Sequence, residues 1–153
     1  MKFILRKNIP LAVIFALMTA AVMFVIFTFS SATGEESEEV SQNLLSVIIE
    51  FIGSFISHNT LRKLAHFSEF AALGFFMAGT VHFSSGKLKF YVPLIPCILY
   101  AVSDEIHQYF VPERACRVFD IFVDSAGSLT GILIFILLIA IIRKFTEKRT
   151  DNR

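Results

Sequence analysis

Apolar positions run along this chain in long blocks separated by short polar ones. Residues 9–29 carry no charged side chain, and Lys2, Arg6 and Lys7 stand just before them. About 20 apolar residues of helix cross the hydrocarbon core of a bilayer, so this block predicts a transmembrane helix. Ser30, Ser31 and Ala32 offer the small residues of a cleavage site. The block is longer than the roughly 7–15 residues of a cleaved signal's apolar core, so a retained signal-anchor helix is expected. Blocks 64–83, 90–110 and 120–142 predict three further spans. Pro93 falls in the first turn of the third span, where its missing N–H does no harm, and Pro96 is placed to kink it.

Segment 41–57 has a different pattern. Asn43, Ser46, Glu50, Ser54 and Ser57 recur at steps of three and four residues, with leucine, isoleucine and phenylalanine between them. That periodicity predicts an amphipathic helix lying on the membrane surface. Residues 146–153 read as a short solvated tail. The expected fold is all-α: one domain over 1–153, an integral membrane bundle of four transmembrane helices plus an outer interfacial amphipathic helix.

Composition agrees. Hydrophobic residues make up 55% of the 153, with 18 Phe and no Trp, while charged residues make up 18%. A soluble domain carries about 25% charged residues. The net charge of +1 and the lack of a basic patch exclude nucleic acid as an expected partner. Cys97 lies in an apolar block and Cys116 in a polar one, too far apart in depth for a disulfide, so both are expected as free thiols.

Lysine and arginine set orientation. With the N-terminus inside, ten of the 14 are cytoplasmic, and Arg62, Lys63, Arg114 and Arg117 are outside. Both termini are then cytoplasmic. The acidic run Glu35, Glu36, Glu38, Glu39 falls in the outer loop. The polar residues inside the spans then collect at the same, outer depth. Arg62, Lys63, His66 and Glu69 open the second span. Asp104, Glu105, His107 and Gln108 close the third, and Asp120 and Asp124 open the fourth.

Helical spacing puts Arg62, His66 and Glu69 on one face, and Asp104, His107 and Gln108 on another. Asp120, Asp124, Gly127 and Gly131 form a stripe whose glycines allow a neighbouring helix to come close. Charges in a membrane cost about 2.5–3.5 kcal/mol each at its centre, so these need partners. Arg114 and Arg117 are expected to meet Asp120, Asp124 or Glu105, and His66 a carboxylate. The network either ties three helices together or carries function. His66 and Glu69 at H-x-x-E spacing could supply two metal ligands, with Asp104, His107 and Asp120 completing a site. That spacing is common among charged pairs, so no metal and no other cofactor are expected. His82 is expected to be structural and His58 solvated in the outer loop. Phosphate loops, nucleophile elbows and H-E-x-x-H motifs do not occur.

Three blocks together resemble a known family. R-K-x-x-H-F-x-E-F at 62–70, S-D-E-x-x-Q-x-F-V-P-E-R at 103–114 and D-x-x-x-D-x-x-G-x-x-x-G at 120–131 look like the VanZ-like family, as does F-S-S at 29–31. The founding member of that family is the teicoplanin-resistance protein of glycopeptide-resistance gene clusters. The resemblance covers about 29–131. It implies a bacterial cell-membrane protein that lowers susceptibility to lipid-tailed glycopeptides. It carries over to Arg62, Lys63, His66, Glu69, Asp104, Glu105, Gln108, Pro112, Arg114, Asp120 and Gly127. Two residues depart from the pattern: Glu113, where the family has glycine, and Asp124, where asparagine is often found.

The leading expectation is a binding or envelope-accessory protein. Its outer pocket would take a lipid head group, a lipid-linked cell-wall precursor or the head of a membrane-anchored antibiotic. Arg62, Arg114 and Arg117 would contact phosphate bidentately, and Asp104, Glu105 and Asp120 would hold them. Lys63, His66, Glu69, Gln108 and Asp124 complete the expected ligand-binding set. One alternative is a membrane-embedded enzyme on a lipid-linked substrate, using His66, Glu69, Asp104 and Glu105 with a divalent cation. Another is a structural assembly factor. A homo-oligomer is compatible with all three. A transporter fits less well, because the polar residues stop at one leaflet.

Overall fold

The computed structural model describes residues 7–36, 39, 58–114 and 116–151. Four long helices dominate them: α1 (Ile9–Ser30), α2 (His58–Ser85), α3 (Tyr91–Tyr109) and α4 (Val118–Asp151). The amphipathic helix expected at 41–57 lies outside the described residues.

Three of these helices are long and apolar enough to cross a membrane: α1, the Thr60–Ser85 part of α2 and the Val118–Lys148 part of α4. The third span expected from the sequence corresponds to α3, which falls short of the others. The reason is composition, since Ser103, Asp104, Glu105, His107 and Gln108 lower its mean hydropathy, but most of these are turned inward. Asp104, Glu105 and Gln108 are buried on its inner face together with Pro93, Cys97 and Ala101. Val92, Ile95, Leu99, Ile106 and Tyr109 point outward. The one outward serine near the polar end, Ser103, donates its hydroxyl back to the Tyr100 carbonyl at 2.8 Å. Averaging over the whole helix hides an outer face that is almost wholly apolar.

Helix ends differ from expectation in two places. α2 begins at His58, so His58 is helical rather than part of a loop. α4 does not stop at Arg143 but continues through 146 to Asp151. No glycine or proline breaks it there, and Arg143 pairs with Glu147 one turn on at 2.8 Å. At the start of α1, Asn8 accepts from the Leu11 N–H at 3.3 Å and so caps the helix.

The helices run alternately up and down. The Asn8 N–H donates to the Phe83 carbonyl at 2.7 Å, joining the start of α1 to the end of α2. At the opposite end, Ser30 of α1 meets Asp104 of α3, and Lys63 of α2 meets Asp120 of α4. α2 and α4 are therefore parallel, and they make the most extensive helix pair in the bundle.

In lipid, helices gain little from the hydrophobic effect and associate by close packing. The α2–α4 crossing shows how. A Cβ on Gly127 would strike the Phe67 carbonyl, one on Gly131 the Ala71 carbonyl, and one on Gly74 the Ser128 carbonyl. The backbones are in direct contact along this seam, as the glycine stripe predicts. Below it Phe15, Phe75, Phe83 and Phe135 interlock, with Phe15 and Phe83 centred 5.2 Å apart. His82 joins this cluster edge-on to Phe83 and Phe135. A second core holds Ile26, Phe70, Leu73, Cys97 and Ala101, and the Tyr100 hydroxyl donates to the Met23 carbonyl at 2.6 Å. Both cysteines are free, Cys97 buried and Cys116 exposed.

A methyl group at Gly131 has no room, because the opposing atom is backbone. Gly131→Ala is expected to destabilise the bundle by about 1–3 kcal/mol in a detergent unfolding titration, the usual range for overpacking. Ala126→Val, on the exposed side of the same helix, should change little.

Candidate functional site

The polar end of the bundle is organised around Asp104, which is 4% exposed. A buried carboxylate needs donors. Ser30 Oγ donates to Asp104 Oδ2 at 2.9 Å and Gln108 Nε2 to the same oxygen at 2.8 Å. Gln108 lies one turn beyond Asp104, so α3 supplies both groups on one face. Ser30 is the last residue of α1, and it links that helix to α3.

The loop after α3 closes this end. Val111, Pro112 and Glu113 turn the chain, and Glu113 adopts φ 62. That is the left-handed region, which costs a residue with a Cβ about 1–2 kcal/mol. It is also where the VanZ-like pattern carries glycine. The turn packs tightly on Gly34, where a Cβ would lie 2.7 Å from the Glu113 carbonyl oxygen. The Gly34 N–H donates to the Pro112 carbonyl at 3.2 Å, and the Glu35 N–H to Glu113 Oε2 at 3.1 Å.

The turn aims Arg114 back at α1. The last carbonyls of a helix have no intrahelical partner, and a cation there also meets the negative end of the helix dipole. Arg114 Nε donates to the Ala32 carbonyl at 2.9 Å and Nη2 to the Phe29 carbonyl at 3.0 Å. Its remaining nitrogen, Nη1, is buried with no hydrogen bond. Burial and the neighbouring Arg62 push the Arg114 guanidinium down from its ordinary value, against the opposing pull of Asp104, Glu105 and Glu69. It stays charged, as arginine does in proteins.

These contacts replace the ion pairs expected from the sequence. Arg114 binds carbonyls rather than Asp120, Asp124 or Glu105. Arg117 meets Glu105 through its backbone N–H, at 2.8 Å from Oε2. Asp120 takes Lys63 as its partner at 3.1 Å, and the same ammonium stands 4.3 Å over the Phe119 ring. The guanidinium of Arg114 is drawn away because the Phe29 and Ala32 carbonyls at the end of α1 lie beside the turn.

A cavity of about 160 Å³ opens among these groups. Arg62, Lys63 and His66 line it from α2. Glu105 and Gln108 line it from α3, and Glu113, Arg114 and Arg117 from the loop. Asp120, Val123 and Asp124 line it from α4. Of the residues singled out in the sequence, Asp104 and Glu69 are not among its walls. Asp104 lies behind Gln108, and Glu69 is one turn further along α2 from His66, with a buried Oε2 that has no hydrogen bond. His107 is turned away as well. It stacks on Phe27 at 4.7 Å, and its Nε2 lies 3.0 Å from Ser31 Oγ.

The family profile described as VanZ/LLP1 matches residues 15–140. The chain belongs to the VanZ/LLP1 family. The match takes in α1 beyond its first turns, all of α2 and α3, and the part of α4 that bears Asp120, Asp124 and the glycines. No curated protein and no solved structure matches the chain significantly. Membership in the VanZ/LLP1 family fits the resemblance read from the R-K-x-x-H, D-E-x-x-Q and D-x-x-x-D blocks.

Two members of this site carry no clear signal in the sequence. Ser30 stood out only as a small residue after the first span and as part of F-S-S, yet it is fully buried and holds Asp104. Glu113 was visible only as a departure from glycine, yet its side chain lines the cavity.

Arg114 has a measurable structural role. Two hydrogen bonds from a charged donor contribute a net of roughly 1.5–3 kcal/mol each. Arg114→Lys is expected to lower stability by about 1–3 kcal/mol in a thermal melt, because an ammonium cannot span two carbonyls as the planar fork does. A melt unchanged from wild type would show that the loop is held to α1 by other contacts.

Proposed function

We propose that this protein is a four-span protein of the bacterial cell membrane with both termini in the cytoplasm, and that it binds a phosphate-bearing head group at the outer leaflet. The ligand would be a membrane lipid or a lipid-linked cell-wall precursor. Occupying or sequestering it would lower susceptibility to glycopeptides that carry a lipid tail. α3 serves as the fourth span, its polar side chains turned into the bundle and its apolar face toward lipid. The lysine and arginine distribution supports the orientation.

The observation that carries the reading is the cavity wall. Arg62, Lys63, Arg114 and Arg117 converge on one small cavity at the polar end of apolar helices, and Arg114 brings to it a buried Nη1 without a hydrogen bond. Guanidinium groups match phosphate oxygens geometrically, and an anion would satisfy them. Size also decides. At about 160 Å³ the cavity is below the roughly 300–1,000 Å³ that hold a drug-sized ligand. It suits a phosphate and its immediate linkage rather than a whole glycopeptide.

Arg62 and Arg117 are the informative positions, because Arg114 also holds α1. In nanodiscs, Arg62→Ala/Arg117→Ala should bind a polyprenyl phosphate at least tenfold more weakly than wild type, the effect of about 1.4 kcal/mol. Expressed in a susceptible Gram-positive host, the wild-type chain should protect selectively against a lipid-tailed glycopeptide over a tailless one. The double variant at matched abundance should not. Equal binding and equal protection by the variant would overturn the reading.

A further inference from the structure

Beneath the cationic wall lies a second arrangement of different chemistry. One ring nitrogen of His66, one carboxylate oxygen of Asp104 and one of Asp124 all lie within 4.8 Å of one another. They come from three helices: α2, α3 and α4. Asp124 is 1% exposed, and its Oδ1 has no hydrogen bond although its side chain lines the cavity. Two carboxylates this close repel, and burying one without a partner costs several kcal/mol. Two of the cations nearby are used elsewhere: Arg114 on the Phe29 and Ala32 carbonyls and Lys63 on Asp120.

We propose that His66, Asp104 and Asp124 bind a divalent transition-metal cation at the inner edge of the cavity, where His66 and Asp124 line it and Asp104 lies just behind. One imidazole and two carboxylates form a mixed donor set suited to Mn²⁺ or Zn²⁺. Donors each about 2.1 Å from a shared ion stand at most about 4.2 Å apart. The ion would therefore draw the three in by a fraction of an ångström, without moving a helix. Surrounding groups already orient one ligand. Ser30 and Gln108 both bond to Asp104 Oδ2, as polar neighbours of metal-bound carboxylates do. Glu69, with its unbonded Oε2, stands one turn from His66 on α2 and outside the three-residue cluster. The cavity leaves open positions on the ion for water or a phosphate oxygen. The metal site rests on different residues from the head-group reading, and the two meet because His66 and Asp124 line the same cavity.

The test uses the full chain in phosphatidylcholine nanodiscs, free of anionic lipid, so that failure of the head-group reading cannot affect it. Mn²⁺ is titrated and followed by electron paramagnetic resonance, with Zn²⁺ competition. Wild type should bind one ion per chain, with a nitrogen coupling from His66. His66→Gln should lose that coupling, and Asp124→Asn should bind at least tenfold more weakly. His107→Ala, outside the cluster, should behave as wild type. No stoichiometric binding to the wild-type chain would overturn the proposal. So would Mn²⁺ bound without nitrogen coupling, or equal affinity in the variants. Since the wild-type spectrum alone can overturn it, a variant that fails to fold does not protect the proposal.

Discussion

The α2–α4 crossing is the contact on which the rest depends. Gly74, Gly127 and Gly131 let two backbones touch, and nothing larger fits there. Because the helices are parallel, the crossing also fixes depth. His66 and Asp124 lie one turn or less from the glycine seam, on the facing sides of the two helices. Their closeness is thus a by-product of packing that is specified several residues away. α1 and α3 complete the enclosure, joined to each other by Ser30 and Asp104.

The polar end balances its charges mostly without ion pairs. Asp120 alone takes a cationic side chain among the described carboxylates of the cavity, and Glu105 takes a backbone N–H. Asp104 takes a hydroxyl and an amide. Arg114 spends two of its nitrogens on the Phe29 and Ala32 carbonyls, at and just past the end of α1. Several groups are left over, Arg114 Nη1 and Asp124 Oδ1 among them, and both belong to walls of the same cavity. A network built only for stability would leave fewer such groups, since each unmet buried group costs about 1–3 kcal/mol.

The bundle was largely legible in the sequence because its signals are local. The apolar blocks, the i to i+4 spacing of Asp120 with Asp124 and the glycine stripe each depend on one helix. The common depth of His66, Asp104 and Asp124 followed from alternation of the spans. Partner choice was not legible, because it depends on where side chains end rather than where they begin. Nothing local says that Arg114 reaches past the carboxylates to Phe29 and Ala32, or that Lys63 takes Asp120. The left-handed turn at Glu113 was hidden for a similar reason. Glutamate gives no turn signal, and only comparison with a glycine-bearing pattern marks the position.

α3 presents a lipid-compatible surface only on its outer side, and its inner side is satisfied by groups from α1, the following loop and α4. Taken alone, such a segment would be a poor substrate for the translocon, which weighs each side chain of a helix by its depth. If α3 is the fourth span proposed above, its place in the bilayer would be a property of the assembled protein. α1 and α2 are synthesised first and can shelter the emerging polar face. Biogenesis would become cooperative at this helix, and a lesion in Ser30 or the glycine seam could surface as a topology defect before it surfaced as lost activity.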